Sequence, residues 1–336
     1  MGRRRRHPRF LGSGVLLIDK PAGPTSHDVV EDLRRRFQPA KLGHAGTLDP
    51  FATGLLVMAF NQATRLVDLM GLGAKTYAAT LSLGRTFDTG DPTGQETASA
   101  PVPELSQDQV ARALKAMEGP RLQEPPAYSA AKLQGKPLYA YARAGQEVHK
   151  PPRPITVHEA RLLALRPGEI DFVMRCSRGT YLRSLAQELA LALGSVGHLK
   201  ALRRTESQPF GLDQAVELET ALDWNGQELA QNLLPLDQAL ARCGLPVVEL
   251  DDDLAWQLRQ GRILPSQALL PEGASQAPQG QAFMVLDPAG AMVAVLRWLT
   301  EDQRRPGRAY ETIRVFPEPS DEGPGGEASA SALGAE

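Results

Sequence analysis

Residues 41–58, Lys-Leu-Gly-His-Ala-Gly-Thr-Leu-Asp-Pro-Phe-Ala-Thr-Gly-Leu-Leu-Val-Met, constrain this chain more than any other stretch. Three glycines, a histidine and an Asp-Pro pair make a permissive loop, and it runs directly into residues 55–60, an apolar segment of strand length. A loop free to turn tightly and anchored on a rigid strand is where polar side chains are presented for chemistry. Asp49 is the side chain best placed for it, although an isolated Asp-Pro is only a turn in most proteins.

The flanking pattern is α+β. Residues 14–18 form a short apolar strand halted by Asp19-Lys20-Pro21-Ala22-Gly23-Pro24. Thr25 or Ser26 caps a helix with Asp28 and Glu31 in its first turn, Val30, Leu33 and Phe37 toward the core, and Arg34 to Arg36 closing it. Residues 64–72 predict a short amphipathic helix. Residues 75–84 alternate, with Tyr77, Ala79, Leu81 and Leu83 on one face, which is the period of a half-buried strand. Residues 85–94 read as a polar, turn-rich loop carrying Asp88 and Asp91. Ser106 and Gln109 make a capping box for a helix that Gly119 stops. Residues 155–165 and 170–176 read as a hairpin that delivers Ser177-Arg178-Gly179-Thr180-Tyr181-Leu182-Arg183 to a helix burying Leu182, Leu185, Leu189 and Leu193. Residues 213–237 read as helical, with a boundary near 243–246. A helix over 251–260 and strands at 282–286, 292–299 and 310–316 make a small, strand-dominated second domain, with a mobile loop at 265–281.

Net charge is −2, but five arginines fall in the first nine residues and five acids in the last twenty. Residues 1–9 are therefore a flexible basic arm, and 317–336 an acidic tail with almost nothing to bury. Any RNA surface must come from local clusters rather than bulk charge. Residues 123–154 hold one such cluster: six prolines and four Tyr or His rings among Lys132, Lys136, Arg143, Lys150 and Arg153. Interleaved rings and cations suit RNA backbone and base stacking; a plain surface loop is the equally weighted reading. Arg203 and Arg204 are a second basic spot. Cys176 and Cys243 lie far apart, and the six histidines show no HxxxH or HExxH spacing, so no metal site is expected. No apolar run approaches the ~18 residues that span a bilayer, and nothing resembles a signal peptide. The chain reads as cytoplasmic.

On residue type alone the candidates for chemistry are Lys20, His44, Asp49, Tyr77, Asp91, Tyr181 and Arg183. A nucleophile elbow is missing, and Asp49 with Asp91 leaves the paired acids of a glycosidase open.

Several motifs in order carry a family resemblance. Gly43-His44-Ala45-Gly46-Thr47-Leu48-Asp49-Pro50-Phe51-Ala52-Thr53-Gly54 resembles the catalytic motif of the TruB family of tRNA pseudouridine-55 synthases. Gly14-Val15-Leu16-Leu17-Ile18-Asp19-Lys20-Pro21 with Thr25-Ser26-His27-Asp28, Lys75-Thr76-Tyr77, Asp88-Thr89-Gly90-Asp91-Pro92-Thr93-Gly94, Pro126-Ala127-Tyr128-Ser129-Ala130, Arg153-Pro154-Ile155 and the stretch 176–183 follow in the family's order. The likeness spans about residues 13–210. Residues 246–316 resemble, more weakly, a small RNA-binding PUA domain.

The resemblance implies a pseudouridine synthase fold, a mixed and mainly antiparallel sheet with flanking helices and a cleft, over residues 10–243, followed by the PUA-like domain. It implies isomerisation of uridine 55 in the T-arm of tRNA, with no metal, no organic cofactor and no protein partner, by a monomer. Asp49 matches the catalytic carboxylate, Arg183 its partner, Tyr77 the tyrosine on the target base, and His44 the residue that assists base flipping. Tyr181, Lys20, Asp91 and Leu202 match pocket positions, the lysine in a structural part. The segment 123–154 matches an insertion that closes on RNA. Arg178 stands where lysine is common, and Ala45 where threonine is frequent. The competing expectations are a guide-RNA-dependent catalytic subunit, which shares these motifs, and a tRNA-folding binder without catalysis.

Overall fold

β1 (Gly14–Lys20) is buried along nearly its whole length and stops where two prolines remove the backbone donors a ladder needs. Thr25, not Ser26, caps α1 (Ser26–Phe37): its hydroxyl accepts from Asp28 N, and the Asp28 carboxylate accepts from Thr25 N at 2.8 Å. Val29, Val30, Leu33 and Phe37 of this helix share a core with Leu16 and Ile18. The computed structural model describes residues 9–270, 278–304 and 309–317. Most of the expected basic arm, the acidic tail beyond Pro317 and part of the 265–281 loop lie outside the described residues.

The opening loop sits between β2 (Leu42–His44) and β3 (Thr53–Phe60). The helix expected over 64–72 is broken into a 3₁₀ turn (Asn61–Arg65) and the single turn α2 (Val67–Met70), because Leu66 leaves helical geometry between them. β4 (Lys75–Leu83) alternates buried and half-buried as its sequence demands. The polar loop expected after it holds a hairpin, β5 (Arg85–Phe87) with β6 (Glu96–Ser99); β6 is exposed at every residue, so it carries no apolar alternation to read. α3 (Gln107–Ala116) closes its capping box as expected, but Gly119, at φ +107°, opens β7 (Gly119–Gln123) instead of capping the helix. The proline-rich segment contains β8 (Lys132–Leu133), β9 (Lys136–Pro137) and α4 (Leu138–Ala142). β10 (Arg153–Arg166) and β11 (Glu169–Cys176) form the hairpin, and α5 (Leu182–Ala192) follows.

β12 (Gly197–Ser207) is central and was invisible in the sequence, its Arg203-Arg204 pair passing for a surface patch. After β13 (Phe210–Gly211) and β14 (Val216–Glu217), the helix expected over 213–237 is three: α6 (Leu218–Asp223), α7 (Gly226–Asn232) and α8 (Leu236–Arg242). Asn225 restarts the chain by capping α7 with Glu228, and Pro235 caps α8.

The main sheet has ten strands in the order β14-β1-β3-β12-β4-β11-β10-β7, with β13 on β12 and β2 on β3. Within this sheet, among the described residues, only β1·β14 and β3·β12 pair in parallel. The parallel contact puts Arg203 opposite Thr53 and Arg204 opposite Gly54, so β12 runs beside the end of the loop that bears Asp49.

The C-terminal β-rich domain orders β15 (Val247–Glu249), β16 (Ala282–Leu286), β17 (Met292–Trp298) and β18 (Tyr310–Val315) into a second sheet, crossed by α9 (Asp252–Arg259). Phe283 stacks on Trp298 at 4.9 Å, and Tyr310 meets it edge-on. Met284, Val295 and Phe316 instead join Leu55 and Val57 of β3 in a common core, and Arg314 donates to Gln62 at 3.0 Å. No described helix is long and apolar enough to cross a membrane.

Candidate functional site

The loop between β2 and β3 is pinned from beneath. A Cβ on Gly54, at φ +99°, would lie 2.3 Å from the Arg204 carbonyl, so only glycine lets β12 come this close. The Arg204 side chain, 1% exposed, donates from Nε to Leu55 O at 2.7 Å, from Nη2 to Gly46 O at 3.0 Å and from Nη1 to Thr47 O at 3.3 Å. Ser26 Oγ accepts from Leu48 N at 2.8 Å. Lys20 Nζ donates to Pro21 O and Pro24 O at 2.8 Å and to Pro50 O at 3.3 Å, while Gly23 N also reaches Pro50 O. Residues 46, 47, 48 and 50 are thereby fixed around Asp49.

Arg204, expected among the RNA contacts, is placed by the structure as a support of the loop. Its guanidinium is 1% exposed and spends three of its five N–H donors on loop carbonyls, so its position supports the loop while one edge reaches the cavity. Arg203, half-buried, is committed to Asp19 of β1, with Nη1 3.1 Å from Oδ1. Lys20, unlike Arg204, lies outside the cavity lining. Burial lowers its pKa to about 8, with the Asp49 charge opposing that shift.

Asp49 meets Arg183 in a two-point contact, Nε 2.9 Å from Oδ2 and Nη2 3.3 Å from Oδ1. Arg183 is delivered by the first turn of α5 and is 3% exposed. The same guanidinium donates to Thr89 O and, at 2.7 Å, to Tyr128 O of the proline-rich segment, with Asp91 Oδ2 3.8 Å away. Asp91 accepts from Thr89 Oγ1 and Thr93 N, each at 2.9 Å, which folds the turn that offers the Thr89 carbonyl. It is 4% exposed and outside the cavity lining, so it is not presented to a substrate as the second acid that a glycosidase needs. Burial pushes the Asp49 carboxyl above the usual carboxylate range; Arg183 pulls it back and Asp91 adds to the rise.

Above the pair opens a cavity of about 650 Å³, lined by Leu48, Asp49, Tyr77, Tyr181, Arg183 and Leu202 among others. Tyr77 is buried, which raises its hydroxyl pKa against the opposing Arg204 charge. Tyr181 is held at both ends of its peptide unit: its N–H donates to Gln123 Oε1 at 2.8 Å and its carbonyl accepts from Gln123 Nε2 at 3.0 Å. Arg153 lies over the Tyr181 ring at 4.9 Å, bonds the Gly179 carbonyl and reaches the cavity.

His44 ends β2 outside the lining. Its Nδ1 is buried without a partner, and burial with the Arg204 charge holds its pKa low, keeping the ring neutral. Lys132, Lys136, Arg143 and Lys150 also lie outside the lining. Lys136 sits over the Tyr141 ring at 4.4 Å, Arg143 over Tyr139 at 5.4 Å, and Lys150 donates to Lys132 O at 3.0 Å. The residues that sequence reasoning left out are Ser26 as a clamp on Leu48, Gln123 as the holder of Tyr181, and Lys75 in the cavity wall. Lys75 was signalled by standing two residues before Tyr77 on an alternating strand; Gln123 left no signal. Among the described residues no three His, Cys, Asp or Glu side chains gather as metal ligands.

The site thus holds one aimed carboxylate, an aromatic wall and a ring of cations. Residues 34–182 match the family model of the TruB family pseudouridylate synthase N-terminal domain, and residues 183–241 match that of the tRNA pseudouridylate synthase B C-terminal domain. The division falls between Leu182 and Arg183, so Asp49 and its partner come from different matched regions. The chain is 43% identical to the tRNA pseudouridine synthase B of Corynebacterium aurimucosum over 288 residues, 84% of this chain and 95% of that one. It is 39% identical to the protein of the same name from Saccharophagus degradans, over 92% of this chain and 98% of that one. Among solved structures, a chain of a Cbf5-Nop10-Gar1 complex superposes with a TM-score of 0.67 at 26% identity, covering 90% of this chain and 85% of that chain.

Proposed function

The chain belongs to the TruB family of pseudouridylate synthases and isomerises uridine in tRNA to pseudouridine, and we propose that the Asp49–Arg183 pair beside Tyr77 is where it does so, on uridine 55 of the T-arm. The observation that carries this reading is the two-point contact of Asp49 with a buried guanidinium in the lining of an aromatic-walled cavity.

The reaction breaks N1–C1′ and joins C5 to C1′. The electron pair of the broken bond leaves with the uracil, C5 supplies the pair of the new one, its hydrogen departs as a proton, and N1 ends protonated. Positive charge develops at C1′, where an ionised Asp49 in a low-dielectric site stabilises it most. Arg183 opposes the burial that would protonate Asp49. Tyr77 and Leu202 face the base and keep water away while it turns. His44, neutral and at the loop's entry, assists in holding the uridine out of its stack. The proline-rich segment reaches Arg183 through the Tyr128 carbonyl, which supports its closing on RNA, with Lys132, Lys136, Arg143, Lys150 and Arg153 as its basic side chains. The C-terminal domain, over 246–316, serves as a PUA-like grip on the same RNA. The enzyme acts in the cytoplasm as a monomer without protein or guide RNA.

The test is purified chain on an unmodified tRNA transcript tritiated at uridine C5. Release of label from the T-arm uridine by the protein alone, lost in Asp49→Asn with tRNA binding retained, is the expected result. Turnover by Asp49→Asn, or a strict need for guide RNA and partner proteins, would overturn the reading.

A further inference from the structure

Among the described residues, three buried cations packed around the loop, Arg183, Arg204 and Lys20, are each matched by several groups of the protein, and a fourth, Lys75, is not. Arg183 has Asp49 and two carbonyls, Arg204 three carbonyls and Lys20 three. Lys75, at the start of β4 and 6% exposed, donates to one acceptor, the Gly71 carbonyl at 3.3 Å. An ammonium has three donors, and a desolvated one without a counter-ion carries an uncompensated penalty.

Its surroundings deepen the deficit. The charged groups that weigh on it are Arg204 from β12 and Arg178 from the turn after β11, both cations; Cys176 of β11 is beside it, but burial pushes that thiol up to about 11 and leaves it uncharged at neutral pH. Burial and these cations lower the Lys75 pKa to about 8, so the amine is still largely protonated at pH 7. The side chain lines the cavity, as do Arg178 and Gly46. A Cβ on Gly46 would stand 3.3 Å from Lys75 Cε, and glycine leaves that side open.

We propose that Lys75 is a phosphate-positioning residue: with Arg178 at the rim, its ammonium receives the backbone phosphodiester next to the flipped uridine. Lys75 and Tyr77 are two residues apart on one face of β4, about 7 Å along the strand, a separation of the order of that between a base and its neighbouring phosphate. RNA brings a permanent anion at that distance, whereas the cavity wall supplies none at Lys75. The inference rests on the cavity being the uridine site.

The experiment measures KM and kcat for pseudouridine formation on a tRNA transcript, and tRNA binding between 50 and 200 mM salt, in full-length wild type, Lys75→Met and Lys75→Arg. Lys75→Met raises KM about tenfold with kcat within about twofold, and the slope of log affinity against log salt falls by about one, the contribution of one phosphate contact. Lys75→Arg keeps the slope. Between pH 7 and 9 the wild-type KM rises as the ammonium is lost, and in Lys75→Arg that rise is reduced; Lys20 titrates in both proteins, so the difference isolates residue 75. This comparison stands even if Lys75→Met does not fold. An unchanged slope in a folded Lys75→Met, an identical pH response in wild type and Lys75→Arg, or a fall in kcat alone, which would place the ammonium on the reacting uracil, overturns the proposal. A wild type that makes no pseudouridine would sink the cavity assignment itself.

Discussion

Arg183 and Asp49, 134 residues apart in the chain, meet through two nitrogens and two oxygens, and the guanidinium that holds the carboxylate is itself held by the Thr89 and Tyr128 carbonyls. The aim of Asp49 therefore depends on three separate segments. Replacing Arg183 by Lys keeps the charge and discards the planar fork. We expect kcat to fall on the order of 10²-fold, about 2.7 kcal/mol in the barrier, with a smaller change in KM. Single-turnover kinetics on tRNA transcript checks this, and a rate within about threefold of wild type would show that charge alone suffices.

Asp91 competes with Asp49 for the same guanidinium and raises the Asp49 pKa by its charge. Asp91→Asn keeps the side-chain oxygen that accepts from Thr93 N and removes the charge. The Asp49 pKa falls, so the acid limb of the kcat/KM profile moves to lower pH. A limb that stays in place, or moves to higher pH, contradicts the electrostatic coupling.

Arg204 is a scaffold residue by its geometry, and its loss should read as instability. Arg204→Met leaves the Gly46, Thr47 and Leu55 carbonyls without their donors, at a cost of about 3–5 kcal/mol in unfolding free energy. The salt dependence of tRNA binding in the folded fraction stays as in wild type. Urea unfolding and a salt titration together separate this from loss of a phosphate contact. Gly54→Ala, which drives a methyl into the Arg204 carbonyl, should damage the same junction comparably.

The parts of this molecule legible in the sequence are those whose signal is local. The alternation of β4, the capping boxes at Thr25 and Ser106 and the β10–β11 hairpin are each written within a few residues. The pairing of Asp49 with Arg183 entered through family resemblance, since spacing says nothing of which residues meet. β12 was unreadable because a central strand that buries an arginine looks, residue by residue, like an exposed basic patch. What buries Arg204 is the set of carbonyls in the loop beside it, a fact of tertiary contact alone. The β5–β6 hairpin escaped for the opposite reason, being exposed and polar throughout β6.

Lys20 makes the stability of the loop depend on pH in a direction opposite to that of a lysine held in a salt bridge. Burial lowers its pKa to about 8 from 10.5. Between those values the unfolded chain binds the proton that the folded chain has released, so unfolding free energy rises as pH climbs from about 8 toward 10.5 and is lost again as pH falls through 8. The slope from one such group is at most about 1.4 kcal/mol per pH unit. Lys20→Met removes this contribution, and the difference in stability between wild type and variant should change with pH over that window and be flat below about pH 7. The variant also leaves Pro50 O without its ammonium donor, next to Asp49, so kcat should fall even where the protein is fully folded. Denaturant midpoints from pH 7 to 10, alongside turnover at pH 7, check both parts. A stability difference that does not vary with pH would show that the amine is protonated throughout and that the three carbonyls, Pro21, Pro24 and Pro50, fully offset its burial.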